Sequence, residues 1–217
     1  MNDMNPAIRD ELDMALREQF QLHIVGVYTA FSPLRESGVR LLMTAKGLML
    51  EACNGVYYHR DYLVKELPSI TLPYGELEPI IELVNPVDQE LVSMFISQAR
   101  RDAHEKSDTE IVRLIIKAPG RAPRCINPTL KSSSTHAEYD LSQIAADEEI
   151  IVDLHSHGVG KPFFSSTDNL DDSRYKGHLK LSIVLGLCDL EPAQMSCATR
   201  FVSRGMTFQA LWGEQSC

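Results

Sequence analysis

Apolar positions at helical spacing open the chain. Ile8, Leu12, Ala15, Leu16 and Phe20 share one face after Asn5-Pro6, a cap followed by a proline in the first turn. This pattern predicts a helix over residues 6–20. From residue 22 the period changes. Residues 22–31 are rich in β-formers, and residues 40–53 hold two apolar runs around Lys46-Gly47, a hairpin signal. Asn54-Gly55 marks a further turn before Tyr57, Tyr58 and Tyr62, and residues 69–73 form another short extended piece. Residues 1–85 therefore read as a small strand-rich N-terminal unit whose role the residues do not name. His23 and His59 stand alone in it, as surface or core residues rather than ligands.

Residues 79–86 connect to the second unit. Asp88 is a candidate cap for a helix over 88–104, with an apolar stripe of Leu91, Val92, Phe95, Ile96 and Ala99. After the polar turn Lys106-Ser107-Asp108, residues 110–117 alternate as a strand, with Glu110, Val112, Leu114 and Ile116 on one face. A proline-marked loop covers residues 120–128, and a short strand is expected over 133–139. Residues 150–157 form another strand, Ser165 starts a second helix, and residues 179–188 form a strongly apolar strand. Segments 196–202 and 206–212 flank Ser203-Arg204-Gly205 as a closing hairpin. Strands interrupted by two helices predict an α/β (α+β) domain with a mixed sheet over residues 86–217.

The 217 residues suffice for one generous domain or for one domain plus a smaller one, and 44% hydrophobic with 24% charged residues is a globular composition. A formal charge of -9 is repelled by phosphate backbones, and the basic residues between Lys117 and Arg124 are sparse. No nucleic-acid partner is expected. No apolar run approaches the ~20 residues of a membrane span, and residues 1–10 have no secretory core, so a cytoplasmic protein with no membrane partner is expected. The cysteines at 53, 125, 188, 197 and 217 are odd in number and lack a Cys-x-x-Cys pair. They read as reduced structural thiols, although Cys188 and Cys197 could meet across two strands.

Chemistry concentrates in Asp153-Leu154-His155-Ser156-His157-Gly158. Histidines at i and i+2 of a strand project from one face and can converge on one ion. Ile150, Val152 and Leu154 make the other face a core face. Zinc hydrolases need a third protein ligand and an open position for water. Asp168, eleven residues after His157, stands in Ser165-Ser166-Thr167-Asp168, the spacing of an N-cap and its partner in the first helical turn. Alone, that spacing is only a capping box. Coupled to the His-x-His strand, it offers Asp168 as the third ligand. Metallo-β-lactamases and cupins also use His-x-His, but Gly158-Val159-Gly160 and Lys161-Pro162-Phe163 lack their further ligands, and an amidohydrolase barrel needs a longer chain. A plain pair of strand histidines is the remaining alternative.

The complete set His155, Ser156, His157, Ser165 and Asp168 resembles the JAMM motif of JAB-domain metallopeptidases. Leu72-Pro73-Tyr74-Gly75, residues 152–158, residues 163–168 and residues 180–186 look like the PRTRC-system protein A family, a bacterial JAB family of plasmids and other mobile elements. The resemblance implies a JAB/MPN-like mixed sheet flanked by helices and a Zn2+ ion on His155, His157 and Asp168. It also implies a general base at Glu110, where the family's small residues after the glutamate are replaced by Ile111-Val112-Arg113. The substrate it implies is a ubiquitin-like protein, with its conjugation machinery as neighbour. Another zinc hydrolase acting on a carrier-protein tail, or a non-catalytic JAB scaffold, are the alternatives.

In that reading Ser165 either supports the oxyanion or only caps its helix, and Asp153 either orients His155 or faces a neighbouring loop. Asp171, Asp172 and His178 read as solvated, and Phe163 and Phe164 as packing for the loop.

Overall fold

The computed structural model describes residues 19–65, 72–84, 86–132 and 137–209. The expected helix over 6–20 and extended piece over 69–73 lie outside them, except for the last two residues of each.

Turn signals set the first sheet. β2 (Gly38–Thr44) and β3 (Gly47–Cys53) pair antiparallel from Thr44↔Gly47 to Gly38↔Cys53, so the hairpin turns at Ala45-Lys46. The chain then reverses at Asn54-Gly55 into β4 (Tyr57–Lys65). There the Asn54 side-chain oxygen accepts the N–H groups of Val56 and Tyr57 at 2.9 and 2.7 Å. β1 (Gln21–Ile24), parallel to β2, and β5 (Ile80–Leu83), antiparallel to β4, complete a five-stranded sheet in sequential order.

The second half opens with α1 (Pro86–Glu105), whose predicted stripe packs inward: Val92, Phe95 and Ala99 are buried, joined by Ala103. A six-stranded sheet follows in the order β13-β12-β11-β10-β6-β7. Its members are β6 (Val112–Lys117), β7 (Arg124–Ile126), β10 (Glu149–Ser156), β11 (Lys180–Gly186), β12 (Ser196–Ser203) and β13 (Met206–Gln209). β8 (Thr129–Ser132) and β9 (Ala137–Tyr139) form a separate two-stranded ribbon. The sheet is mixed, as expected, because β10 and β11 run parallel while its other pairs are antiparallel. A parallel pair needs a crossover, and α2 (Ser166–Arg174) lies in it. At the closing hairpin Arg204 and Gly205 both take positive φ, 49° and 78°, the two-residue turn that matches strand twist.

Three expectations change. The proline-marked loop carries an edge strand, β7, paired with Leu114–Ile116 of β6. The strand expected from Glu110 begins at Val112. A bulge between Ile150 and Val152 breaks the strict alternation of β10. It turns Ile150 toward the cluster of Val112, Leu114, Ile116 and Ile126, away from the face of Val152 and Leu154. The cysteines also differ. Cys197 stands opposite Leu185 rather than Cys188, which is a free thiol like Cys53 and Cys125. Cys197 is disulfide-bonded, so the reduced-thiol reading holds only for those three. No helix among the described residues is long and apolar enough to cross a membrane.

One apolar core joins the two halves. Leu50, Ala52, Val56 and Tyr57 of the first sheet pack in the same cluster as α1 and Leu154, Leu181, Ile183, Leu185, Phe201 and Phe208 of the second. The Asn54-Gly55 turn is clamped between them. Asn54 donates to the Leu179 carbonyl at 2.9 Å, and the Lys117 ammonium donates to the Gly55 carbonyl at 3.1 Å. His59 is 1% exposed, stacks on Phe201 at 5.3 Å, and its Nδ1 has no hydrogen-bond partner among the described residues.

Burial pushes the His59 imidazole down to about 4. The unfolded chain takes up a proton near pH 6.5 that the folded chain refuses. Stability is therefore full above that pH and falls as pH drops from about 6.5 toward 4, by up to about 3 kcal/mol. Urea titrations across that range should show this loss in the wild type and a shallower one in His59→Phe. Equal pH slopes in both would refute the assignment.

Candidate metal centre

Three constraints place the histidines. β10 carries His155 and His157 to its carboxyl end, beside the carboxyl end of β11, where ligands of parallel strands tend to bind. The His157 N–H donates to the Leu185 carbonyl at 2.8 Å, which extends the pairing one residue beyond the strand. The following loop is then tied down. Gly160 accepts from the Leu187 N–H at 2.7 Å and Gly158 from the Cys188 N–H at 2.9 Å. Two glycines allow this. Gly158 has φ +55°, and a Cβ on Gly186 would lie 2.4 Å from the Pro162 nitrogen.

Asp168 arrives from the crossover. Ser165 caps α2, its hydroxyl oxygen accepting the Asp168 N–H at 3.2 Å. In return Asp168 Oδ2 accepts the Ser165 N–H at 2.6 Å, a complete capping box. The other carboxylate oxygen, Oδ1, lies 3.4 Å from His155 Nε2. Thus the two readings of Ser165-x-x-Asp168 coexist: one oxygen serves the cap, the other faces the histidines.

The three donor atoms of His155, His157 and Asp168 all lie within 4.8 Å of one another, and the three residues are half-buried. His155 Nε2 and His157 Nε2 are 3.3 Å apart. A tetrahedral zinc with bonds of about 2.0–2.1 Å sets its donors about 3.3 Å apart. The two distances from His155 Nε2, 3.3 Å to His157 Nε2 and 3.4 Å to Asp168 Oδ1, fit such an ion. Protonation fits as well. Burial and the charge of His155 hold the His157 imidazole low, against the opposing pull of Glu110 and Asp168. For Asp168 burial acts upward, but His155 and the Ser165 hydroxyl and backbone outweigh it and hold the carboxyl low. A neutral imidazole and an ionised carboxylate are the forms that bind metal.

Glu110 reaches the site through Ser156. This serine has no exposed surface. Its N–H donates to the Ile111 carbonyl at 3.1 Å, and its hydroxyl accepts the Ile111 N–H at 3.0 Å. β10 pairs with β6 as Leu154↔Arg113 and His155↔Val112. Continued by two residues, that register sets Glu110 opposite His157, half-buried and close enough for its charge to act on the imidazole. The role of Ser156 escaped the sequence reading. Its signal was a small hydroxyl between two ligands at a position of core parity.

Other expectations shift. Asp153 does not bind His155; its partner is Lys180, at 3.0 Å. Asp171 is exposed as expected, but Asp172 is 3% exposed, bonded by Lys180 at 2.7 Å and by the Arg200 Nε at 2.7 Å. His178 pairs with Glu149 at 2.7 Å. The missed signal was helical phase, since Asp168 and Asp172 stand four apart on one face of α2. Phe164 packs under the Arg200 guanidinium, 3.8 Å from its ring centre. Phe163 meets the His157 ring edge-on at 4.6 Å and is 57% exposed, so it borders the site as well as packing its loop.

Two histidines at the end of a central strand, an aspartate in the first turn of the crossover helix and a glutamate just ahead of the antiparallel neighbour form a candidate metal centre at the carboxyl ends of β10 and β11. The family model of prokaryotic homologs of the JAB domain matches residues 89–200, the segment holding all these groups, and a domain of unknown function (DUF2016) matches residues 10–84. The chain belongs to the prokaryotic JAB-domain homologs. No curated protein matches it.

The donor spacing predicts about one zinc per purified chain. Changing His155 and His157 together to Ala should remove it while thermal unfolding stays cooperative. Elemental analysis checks this, and equal zinc in both proteins would refute the cluster as the binding site.

Proposed function

We propose that this protein is a JAMM-type metallopeptidase that holds one Zn2+ on His155, His157 and Asp168. It hydrolyses a peptide or isopeptide bond at the C-terminal tail of a ubiquitin-like protein. The observation that carries the reading is the donor spacing of 3.3 and 3.4 Å about His155 Nε2, which matches a tetrahedral zinc. Membership of the JAB family supports the reaction class. The sequence resemblance to the PRTRC-system protein A family supports the ubiquitin-like substrate and its conjugation machinery as partner.

When bound, zinc supplies a Lewis acid that lowers the pKa of a water toward ~7 and polarises the scissile carbonyl. Glu110, opposite His157, takes a proton from the attacking water as its oxygen bonds to the carbonyl carbon. It returns that proton to the amine nitrogen as the C–N bond breaks. Ser165 Oγ already accepts the Asp168 N–H, so its hydroxyl hydrogen remains to donate to the tetrahedral oxyanion. Phe163 meets one side of the His157 ring edge-on and borders the site.

The test uses the full chain and a ubiquitin-like protein extended by a short peptide at its C-terminal tail. Cleavage should require zinc and stop with a chelator. Glu110→Gln should keep its zinc yet lose about 10²-fold or more in kcat. A zinc-loaded protein that leaves this substrate intact would point to a carrier-protein tail instead. A chain that binds no zinc would be a scaffold.

A further inference from the structure

α2 is a helix that should not stand by itself. It is 9 residues long, Ser-Thr-Asp-Asn-Leu-Asp-Asp-Ser-Arg. Isolated helices of that length do not persist in water, and Ser, Thr, Asn and Asp are weak helix formers. Apolar packing does not hold it either. Its single apolar residue, Leu170, is 49% exposed, and its one buried residue is Asp172.

The contacts of Asp172 explain the docking. One carboxylate oxygen takes the Lys180 ammonium at 2.7 Å, and the other takes Arg200 Nε at 2.7 Å. Lys180, 4% exposed on β11, is shared with Asp153 of β10 at 3.0 Å. Arg200, on β12, also donates to the Asn169 side-chain oxygen at 2.6 Å and lies over the Phe164 ring. Two cations face two carboxylates, so the cluster is neutral as a whole. It grips the chain at residues 164, 169 and 172, on both sides of Ser165 and Asp168.

We propose that Asp172, through Lys180 and Arg200, is the positioning residue for the metal centre: it fixes α2 on the sheet and so holds the Asp168 carboxylate at the histidines. The inference rests on the metal-centre reading above. Asp172 touches neither the donors nor a substrate and acts only through the helix. Removing one member of such a cluster leaves the others buried with an unbalanced charge. Of the contacts described, the helix then keeps its capping box and the Arg200 bond to Asn169.

Zinc itself is the probe, measured by chelator competition on the full chain. Hydrogen exchange of the metal-free protein is read alongside, at the amides of residues 169–174. Asp172→Asn should weaken zinc binding about 10- to 100-fold, the usual effect of a residue that orients a metal ligand. It should also speed exchange in α2 while β10 and β11 stay protected. Leu170→Ala, on the exposed side of the same helix, should change neither. Wild-type zinc affinity in Asp172→Asn would overturn the proposal. If that variant fails to fold, Asn169→Ala decides, since it removes only the Arg200 contact to the first half of α2. It should weaken zinc by a smaller factor, and unchanged affinity would overturn the proposal. If the wild type binds no zinc, the metal reading fails on its own. Exchange in α2 then settles the clamp: faster exchange in Asp172→Asn upholds it, and unchanged exchange overturns it.

Discussion

Ser156 and Ile111 exchange two hydrogen bonds at the end of β10, and the site depends on that pair. Without it the β6 side of the sheet would stop at Val112, and Glu110 would belong to the preceding turn. With it the antiparallel register runs on to set a glutamate opposite His157. Only a small hydroxyl side chain suits the position. It must fit where no surface is exposed and still accept an N–H that burial would otherwise leave unsatisfied. The histidines on either side of it point to the other face of the sheet. A core-facing serine thus serves a site it does not enter.

The centre draws on two kinds of support. His155 stands on β10, and His157 and Glu110 within two residues of strand ends, where register is set by a backbone ladder and an apolar core, a stiff base. Asp168 stands on a helix with almost no apolar contact, held by polar groups at both ends. The capping box uses one carboxylate oxygen, and the Asp172 cluster anchors the far turn. A polar anchor has a physical consequence. The N–H···O hydrogen bonds from Arg200 to Asp172 and Asn169 are directional, so they set the rotation of the helix about its axis more narrowly than a greasy face would. That rotation decides where Oδ1 of Asp168 points.

The first sheet contributes differently. It supplies no donor, yet Leu50, Ala52, Val56 and Tyr57 share the core that backs β10 and β11, and Asn54 binds the backbone at the start of β11. His59 is buried against Phe201 and Phe208 on the same side. The stiffness of the strands that present the histidines thus draws on residues well outside the JAB match, which begins at residue 89.

Local order was legible in the sequence where short-range chemistry decides it. The stripe of α1, the turns at Asn54-Gly55 and Arg204-Gly205, the strand of the two histidines and the cap at Ser165 all follow from spacing and side-chain type within a few residues. The membership of His155, His157 and Asp168 in one cluster was expected from the His-x-His strand coupled to the Ser165-x-x-Asp168 spacing and from the resemblance to the JAMM motif; strand geometry by itself gave only the shared face of the two histidines. Tertiary structure alone decided what depends on register between distant segments. The bulge at Ile150, the edge strand in the proline-marked loop and the alignment of Glu110 with His157 have no local signature. Asp172 shows the reason most clearly. An aspartate on a short polar helix looks solvated until Lys180 and Arg200, on two other strands, are brought beneath it, and nothing in its neighbouring residues says that they will be.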